Sequence, residues 1–62
     1  MKVKDVIKKL EAGGWIFVRN NGGHATFKKE GVRELITVSG HARDEVTPGQ
    51  LADIRRTSGL KL

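Results

Sequence analysis

The 62-residue chain contains no cysteine, no tyrosine and a single proline. Without cysteine it can form neither a disulfide framework nor a thiolate metal site. No apolar run approaches the ~20 residues that span a bilayer, and the charged start, Met1–Asp5, lacks the apolar stretch and cleavage site of a signal peptide. We therefore expect a cytoplasmic protein whose fold depends on its core alone.

The core of this chain must be small. Sixty-two residues lie near the lower limit for a domain that folds without disulfides or metal. Only 37% of the residues are hydrophobic, and the aromatic residues number three: Trp15, Phe17 and Phe27. These three are expected to fill much of the core. The pattern predicts one domain over residues 1–62, with no repeat, linker or low-complexity segment.

The charge is strongly basic. Twelve Lys and Arg against seven Asp and Glu give a formal net charge of +5, and the sequence pI is about 10.1. A small domain with this balance is typical of proteins that bind nucleic acid or an acidic protein partner. The alternative is that the lysines only keep a small protein in solution.

Two segments are predicted to be helical. Residues 2–12 place apolar side chains at the i, i+3, i+4, i+7 spacing of an amphipathic helix: Val3, Val6, Ile7 and Leu10. The glycine pair at 13–14 supplies the left-handed stop of a helix C-terminus. Near the end of the chain, Thr47 is a good N-cap with Pro48 at the first helical position, and Gly59 is the expected stop.

Three strands are predicted between the helices. The aromatic and β-branched segment 15–18 is the first, and the turn residues at 21–23 permit a hairpin into the second, about residues 24–29. Another turn at 30–31 precedes the third strand, residues 35–39. The predicted fold is therefore of the α+β class, ordered α-β-β-β-α, with a three-stranded antiparallel sheet and both helices on one of its faces.

The second strand sorts its side chains between the two faces of this sheet. Ala25 and Phe27 point one way, and His24, Thr26 and Lys28 point the other. In the third strand, Ile36 and Val38 share one face, and the opposite face takes Leu35, Thr37 and Ser39. If Phe27 faces the core, the face with His24 is left to solvent.

His24 is the main candidate for chemistry. Histidine can take or give a proton near neutral pH, and RNA carries its own nucleophile, the 2′-hydroxyl beside the scissile phosphate. An enzyme then needs only a group that moves this proton and cations that neutralise developing charge. No metal or other cofactor is required. The alternative is an exposed strand residue that follows a turn and has no catalytic role.

Basic residues on the hairpin and the following turn are candidate phosphate contacts: Arg19, Lys28, Lys29 and Arg33. Each of them taken singly is better explained as a solvated surface cation, but as a group they favour a role in binding phosphates. Thr26 shares the face of His24 and is a candidate hydrogen-bond donor to phosphate, although β-strand propensity also explains it.

His41 is a candidate second acid or base, or an RNA contact. A metal site built from His24, His41, Asp44 and Glu45 matches no known ligand spacing and is disfavoured. Trp15 is interpreted as a core residue rather than a platform for base stacking.

Four stretches carry a pattern that extends over nearly the whole chain. Residues 6–15 are similar to an "L…L…GW" opening, and residues 22–27 to a "G-S-H-x-x-F" motif. Residues 38–41 are similar to "V-P-x-H", and residues 45–60 to "G-T-L…I…K-x-A-G-L". Their order and spacing resemble those of the HicA family of toxins, small mRNA interferases of bacterial and archaeal toxin–antitoxin pairs.

The resemblance implies a minimal fold similar to double-stranded-RNA-binding domains, with His24 as the catalytic residue. It also implies cleavage of mRNA independent of the ribosome and neutralisation by a cognate HicB-like antitoxin that covers this histidine in a toxin–antitoxin hetero-oligomer. The chain departs from the family pattern at three positions: Gly23 replaces a serine, Ser39 a proline and Gln50 a threonine.

Two other functions remain open. A non-catalytic RNA-binding module would use the same basic sheet and would tolerate the loss of His24. A protein-interaction domain would use its basic surface to dock an acidic partner and would bind RNA negligibly.

Overall fold

The computed structural model describes residues 1–62 and contains two helices and three strands. In chain order these are α1 (Val3–Ala12), β1 (Ile16–Asn20), β2 (His24–Lys28), β3 (Ile36–Ser39) and α2 (Pro48–Ser58). The predicted order α-β-β-β-α is confirmed. The strand ends differ slightly from the prediction: β1 begins one residue later and extends to Asn20, β2 ends at Lys28, and β3 begins after Leu35.

Local sequence determines where α2 begins and ends. The Thr47 hydroxyl accepts a hydrogen bond from the backbone N–H of Gln50 at 3.2 Å, which satisfies one of the free N–H groups of the first turn. Gly59 closes the helix in the left-handed conformation, at φ 71°, which costs glycine no steric strain. Both the N-cap and the stop are confirmed.

The N-terminus of α1 is capped by the loop after β3 instead of a side chain. The N–H groups of Val3 and Lys4 donate to the carbonyl oxygens of Asp44 and Ala42, at 2.8 and 3.2 Å. Lys2 also forms an isolated antiparallel bridge with Glu45. The loop between β3 and α2 is thereby tied to the start of the chain.

The sheet is antiparallel with the order β1-β2-β3, so β2 is the central strand. Both helices pack on the face that carries Ala25 and Phe27. The buried core consists of ten apolar side chains: Val3, Val6, Leu10, Trp15, Ala25, Phe27, Ile36, Val38, Val46 and Ile54. The core includes no residue of β1, which is held mainly by backbone hydrogen bonds to β2 and by one aromatic contact.

A β-bulge at Val18 sets the faces of β1. Arg19 pairs with Thr26 and Phe17 with Phe27, so Val18 is the extra residue. Without this insertion, counting back from the hairpin would place Val18 opposite Phe27. The bulge therefore moves Phe17 onto the face of Phe27.

The expectation that Phe17 fills the core is wrong. Phe17 lies on the outer strand and is 51% exposed, whereas Phe27 on the central strand is 1% exposed and Trp15 is 2% exposed. The ring of Phe17 packs edge-on against Phe27, with centroids 5.9 Å apart and planes at 72°. The reason is position: a two-helix layer over three short strands covers the centre of the sheet and leaves the side chains of β1 outside.

Neither helix is long and apolar enough to cross a membrane.

Candidate functional site

The sheet face that the helices leave uncovered, called the open face below, is basic and rich in hydroxyl groups. Because directly paired residues share a face, register places seven side chains on it: Ile16, Arg19, His24, Thr26, Lys28, Thr37 and Ser39. None of the three strands contains Asp or Glu. The face therefore combines one imidazole with two cations and no opposing carboxylate from the strands.

The hairpin between β1 and β2 places His24 at one end of the open face. Gly22 and Gly23 have φ 61° and 86°, the positive pair that a type I′ turn requires. Asn21 and His24 exchange both of their backbone hydrogen bonds across this turn, at 3.0 and 3.2 Å. The His24 side chain is exposed, and its backbone is held by the two hydrogen bonds that close the turn.

The His24 ring makes one hydrogen bond, and the partner is Ser39 on β3. The two residues are directly paired, and the backbone N–H of Gly40 donates to the carbonyl oxygen of Gly23 at 2.9 Å. This pattern identifies His24 and Ser39 as a non-hydrogen-bonded pair, in which the side chains approach most closely. The distance from His24 Nδ1 to Ser39 Oγ is 2.8 Å.

Thr26 lies on the open face as predicted but is only 5% exposed. It occupies the middle of the central strand between Arg19 and Thr37, and its Oγ1 lies 3.4 Å from Oγ1 of Thr37. These neighbours cover it. The expectation that this residue stands free in solvent is therefore wrong, and a phosphate would have to displace a neighbouring side chain to reach its hydroxyl.

Arg19 is placed nearer to His24 than Lys28 is. Arg19 pairs with Thr26, so it is a diagonal neighbour of His24, a separation of about 7–8 Å between Cα atoms. Lys28 is four residues along the same strand, about 13 Å away. The two ion pairs of the protein join Met1 to Glu45 and Asp53 to Arg56. Arg19 and Lys28 are therefore free to bind an anion.

Lys29 and Arg33 lie at the other end of β2 from His24. The Lys29 side chain covers Gly14, where its Cε would stand 3.3 Å from an added Cβ. Arg33 is exposed in the turn that leads to β3 and forms no ion pair. The structure therefore spreads the predicted cations along the length of the sheet instead of clustering them around the histidine.

His41 lies two residues beyond Ser39, in the loop that caps α1. Its backbone N–H donates to Asp44 Oδ2 at 2.8 Å, and its ring makes no hydrogen bond. The Glu45 carboxylate is paired with the N-terminal ammonium. No three His, Asp or Glu side chains come together in a way that could hold a metal ion, so the disfavoured four-residue set does not converge.

Sequence reasoning missed the contact between Ser39 and His24. The alternation of β3 put this residue on the face opposite Val38, but the register of β3 against β2 depends on the path of the seven residues between them, 29–35. The sequence does show a serine in a strand of the same sheet as His24. Serines in such positions are too common for this one to be singled out.

Comparison with known proteins identifies the family. The sequence matches the family described as "HicA toxin of bacterial toxin-antitoxin" over residues 3–60, nearly its full length. The chain belongs to the HicA toxin family. The resemblance seen in the sequence motifs is therefore confirmed.

A solved structure agrees with this assignment. A chain of the "HicA3 and HicB3 toxin-antitoxin complex" is 35% identical, with a TM-score of 0.80, and the match covers 100% of this chain and 98% of that one. No curated protein matches the sequence. This HicA-family chain therefore shares its fold, a three-stranded antiparallel sheet with two helices, with a subunit of that complex.

Proposed function

We propose that this protein is the toxin of a type II toxin–antitoxin pair and acts as an endoribonuclease. Its substrate is single-stranded mRNA in the cytoplasm, cleavage blocks translation, and no metal ion takes part. His24 is the catalytic residue, and Arg19 and Lys28 are the main phosphate contacts. Lys29 and Arg33 extend the phosphate track, and Thr26 lies beneath it, where a phosphate reaches the hydroxyl only by displacing a neighbouring side chain.

One observation carries this proposal. His24 is an exposed histidine beside a hydrogen-bonded hairpin turn, on a sheet face whose cations have no carboxylate partner. An imidazole that water can reach, with Arg19 as a diagonal neighbour and no carboxylate on the strands, suits a proton transfer at a phosphodiester. Membership in a toxin family supports RNA cleavage as the function of the open face.

The reaction needs little chemistry from the protein. The 2′-oxygen of the RNA forms a bond to the adjacent phosphorus, and the bond from phosphorus to the 5′-oxygen breaks. The proton of the 2′-hydroxyl moves to His24, and the departing 5′-oxygen takes a proton from water or from His41. The products are a 2′,3′-cyclic phosphate and a free 5′-hydroxyl. Arg19, the nearer cation, would stabilise the added negative charge on the phosphoryl oxygens, and Lys28 would hold a phosphate further along the RNA.

The proposed partner is a HicB-like antitoxin that covers the open face around His24 in a hetero-oligomer. Support comes from the similarity to a chain of a HicA–HicB complex and from the net charge of +5, which favours a partner with an acidic docking surface.

The first test is cleavage of a short labelled RNA by the purified protein in EDTA. We expect cleavage with cyclic phosphate ends, and no cleavage of an RNA with 2′-deoxyribose at the scissile position, because that substrate lacks the nucleophile. Product ends are read by mass spectrometry. The matched control substrate carries the 2′-deoxyribose several nucleotides away and should be cut normally.

Two results would overturn this function. EDTA inhibition that added Mg²⁺ or Mn²⁺ reverses would assign the cleavage to a metal. RNA that binds in a salt-sensitive manner but stays intact would favour the non-catalytic RNA-binding module.

The phosphate contacts are tested with Arg19→Gln and Lys28→Gln. Binding is measured by fluorescence anisotropy with the 2′-deoxy substrate over a range of salt concentrations. Each variant should lower the slope of log affinity against log salt by about 0.7, the value for one lost contact to single-stranded nucleic acid. Lys8→Gln is the control, since Lys8 is an exposed cation on α1, on the helix side of the sheet. An unchanged slope in all three variants would remove the open face as the binding surface.

A further inference from the structure

The hydrogen bond between His24 and Ser39 holds the imidazole by one of its two nitrogens. The distance of 2.8 Å from Nδ1 to Oγ lies in the range of a good hydrogen bond. It is the only hydrogen bond that either side chain makes. Nε2 is left as the one ring nitrogen that is free to meet a substrate.

The protonation states of the ring indicate which atom donates in this hydrogen bond, Nδ1 of His24 or Oγ of Ser39. A neutral imidazole has one N–H and one lone pair, and the imidazolium has two N–H groups. A serine oxygen that accepts from Nδ1–H serves both states without turning. If the hydroxyl donated to Nδ1 instead, it would have to rotate each time the ring took up a proton, and Nε2 would carry hydrogen in the neutral ring and could accept nothing.

We propose that Ser39 is a positioning residue for His24: its hydroxyl accepts from Nδ1–H, fixes the ring orientation and leaves the lone pair on Nε2 pointing out of the open face. The proposal rests on the proposed function in one respect, that Nε2 then acts as the general base toward the 2′-hydroxyl. Ser39 itself touches no reacting atom.

The sheet makes Ser39 suitable for this task. The residue is half-buried at the end of β3, and the hydrogen bond from Gly40 to Gly23 beside it, at 2.9 Å, ties the two strands together at this point. A ring on a short, exposed strand end would otherwise rotate freely and exchange between its two neutral forms. Orientation of a base by a third group is the general requirement of such catalysis.

The test is the tautomer of His24, read from the ¹⁵N shifts of its ring nitrogens by NMR in alkaline buffer, where the imidazole is neutral and carries one N–H. We expect the Nδ1–H form in the wild type. In Ser39→Ala the ring should revert to the Nε2–H form that free histidine prefers. His41, the second histidine of the chain, has no ring partner and is the internal reference in every spectrum.

Kinetics provide the second measurement. Ser39→Ala should lower kcat by about tenfold, a part of the roughly 10²- to 10⁴-fold that a general base contributes, while KM stays unchanged. Ser39→Thr keeps the hydroxyl and should restore both kcat and the wild-type tautomer. The matched control for the tautomer is Thr37→Val, which removes a hydroxyl from the same strand and face at the neighbouring paired position and should leave the His24 tautomer as it is.

These outcomes separate the two proposals. An Nε2–H tautomer in the wild type, or the same tautomer in the wild type and Ser39→Ala, overturns the role of Ser39 even if RNA is cleaved. A tautomer change together with a fall in kcat supports it. If the wild type cuts no RNA, the proposed function fails, and the spectra still decide whether Ser39 positions the ring.

Discussion

Replacing His24 with alanine should abolish RNA cleavage while the protein stays folded. The imidazole is the only group on the open face that can both accept and release a proton near neutral pH, and loss of such a group costs roughly 10²- to 10⁴-fold in rate. The side chain is exposed and makes one hydrogen bond, so the free energy of unfolding should fall by only about 0.5–1.5 kcal/mol. Single-turnover cleavage and a denaturation curve measure the two effects.

His41→Ala is the comparison for the loss of an imidazole. Its ring has no partner and belongs to a loop, so its removal should cost less than a tenth of what the loss of His24 costs, a difference above about 1.4 kcal/mol in activation free energy. Wild-type protein expressed without an antitoxin should arrest growth, and the His24 variant should not. Undiminished cleavage by His24→Ala would remove this residue from the mechanism.

The largest effect on stability is expected from Phe27→Ala. Phe27 is 1% exposed at the centre of the sheet, and truncation of a buried phenylalanine costs about 3–5 kcal/mol. A domain of 62 residues has a total stability of about 3–9 kcal/mol. The variant should therefore be largely or marginally unfolded at 37 °C. Trp15, the single tryptophan and itself buried, reports the transition through its fluorescence in urea.

Phe17→Ala is the matched control, because it removes the same side chain from the other half of one aromatic pair. Phe17 is 51% exposed, and its loss removes half-buried surface and the edge-on contact, which together amount to about 1–2 kcal/mol. Equal costs at the two positions would mean that β1 is part of the core, in conflict with its exposure.

Most of the framework could be predicted because it depends on local sequence. The spacing of apolar residues in α1, the Thr47 cap and the stop at Gly59 act within a few residues, and each lies where the pattern predicted it. The glycine turn at 22–23 likewise placed His24 at the start of a strand. These features are determined by short-range sterics and hydrogen bonds, which a single sequence displays.

The arrangement of the site could not be predicted to the same depth. The pairing of His24 with Ser39 depends on how residues 29–35 turn, and no short-range rule specifies that path. The burial of Thr26 depends on side chains from both neighbouring strands. The exposure of Phe17 follows from the width of the helix layer, a property of the whole fold. The residue types alone indicated that the open face carries a histidine and cations. The side-chain contacts on that face could not be predicted from them.

The bulge at Val18 also bears on how the molecule behaves at high concentration. β1 is an outer strand that presents Ile16, Phe17 and Val18 to solvent, the kind of edge on which strands of other molecules can assemble into fibrils. The extra residue interrupts the regular spacing of backbone groups there, and the charge of Arg19 follows at once. An incoming strand would meet only a short regular stretch, so we expect the irregularity that sets the face of Phe17 to oppose edge-to-edge assembly as well.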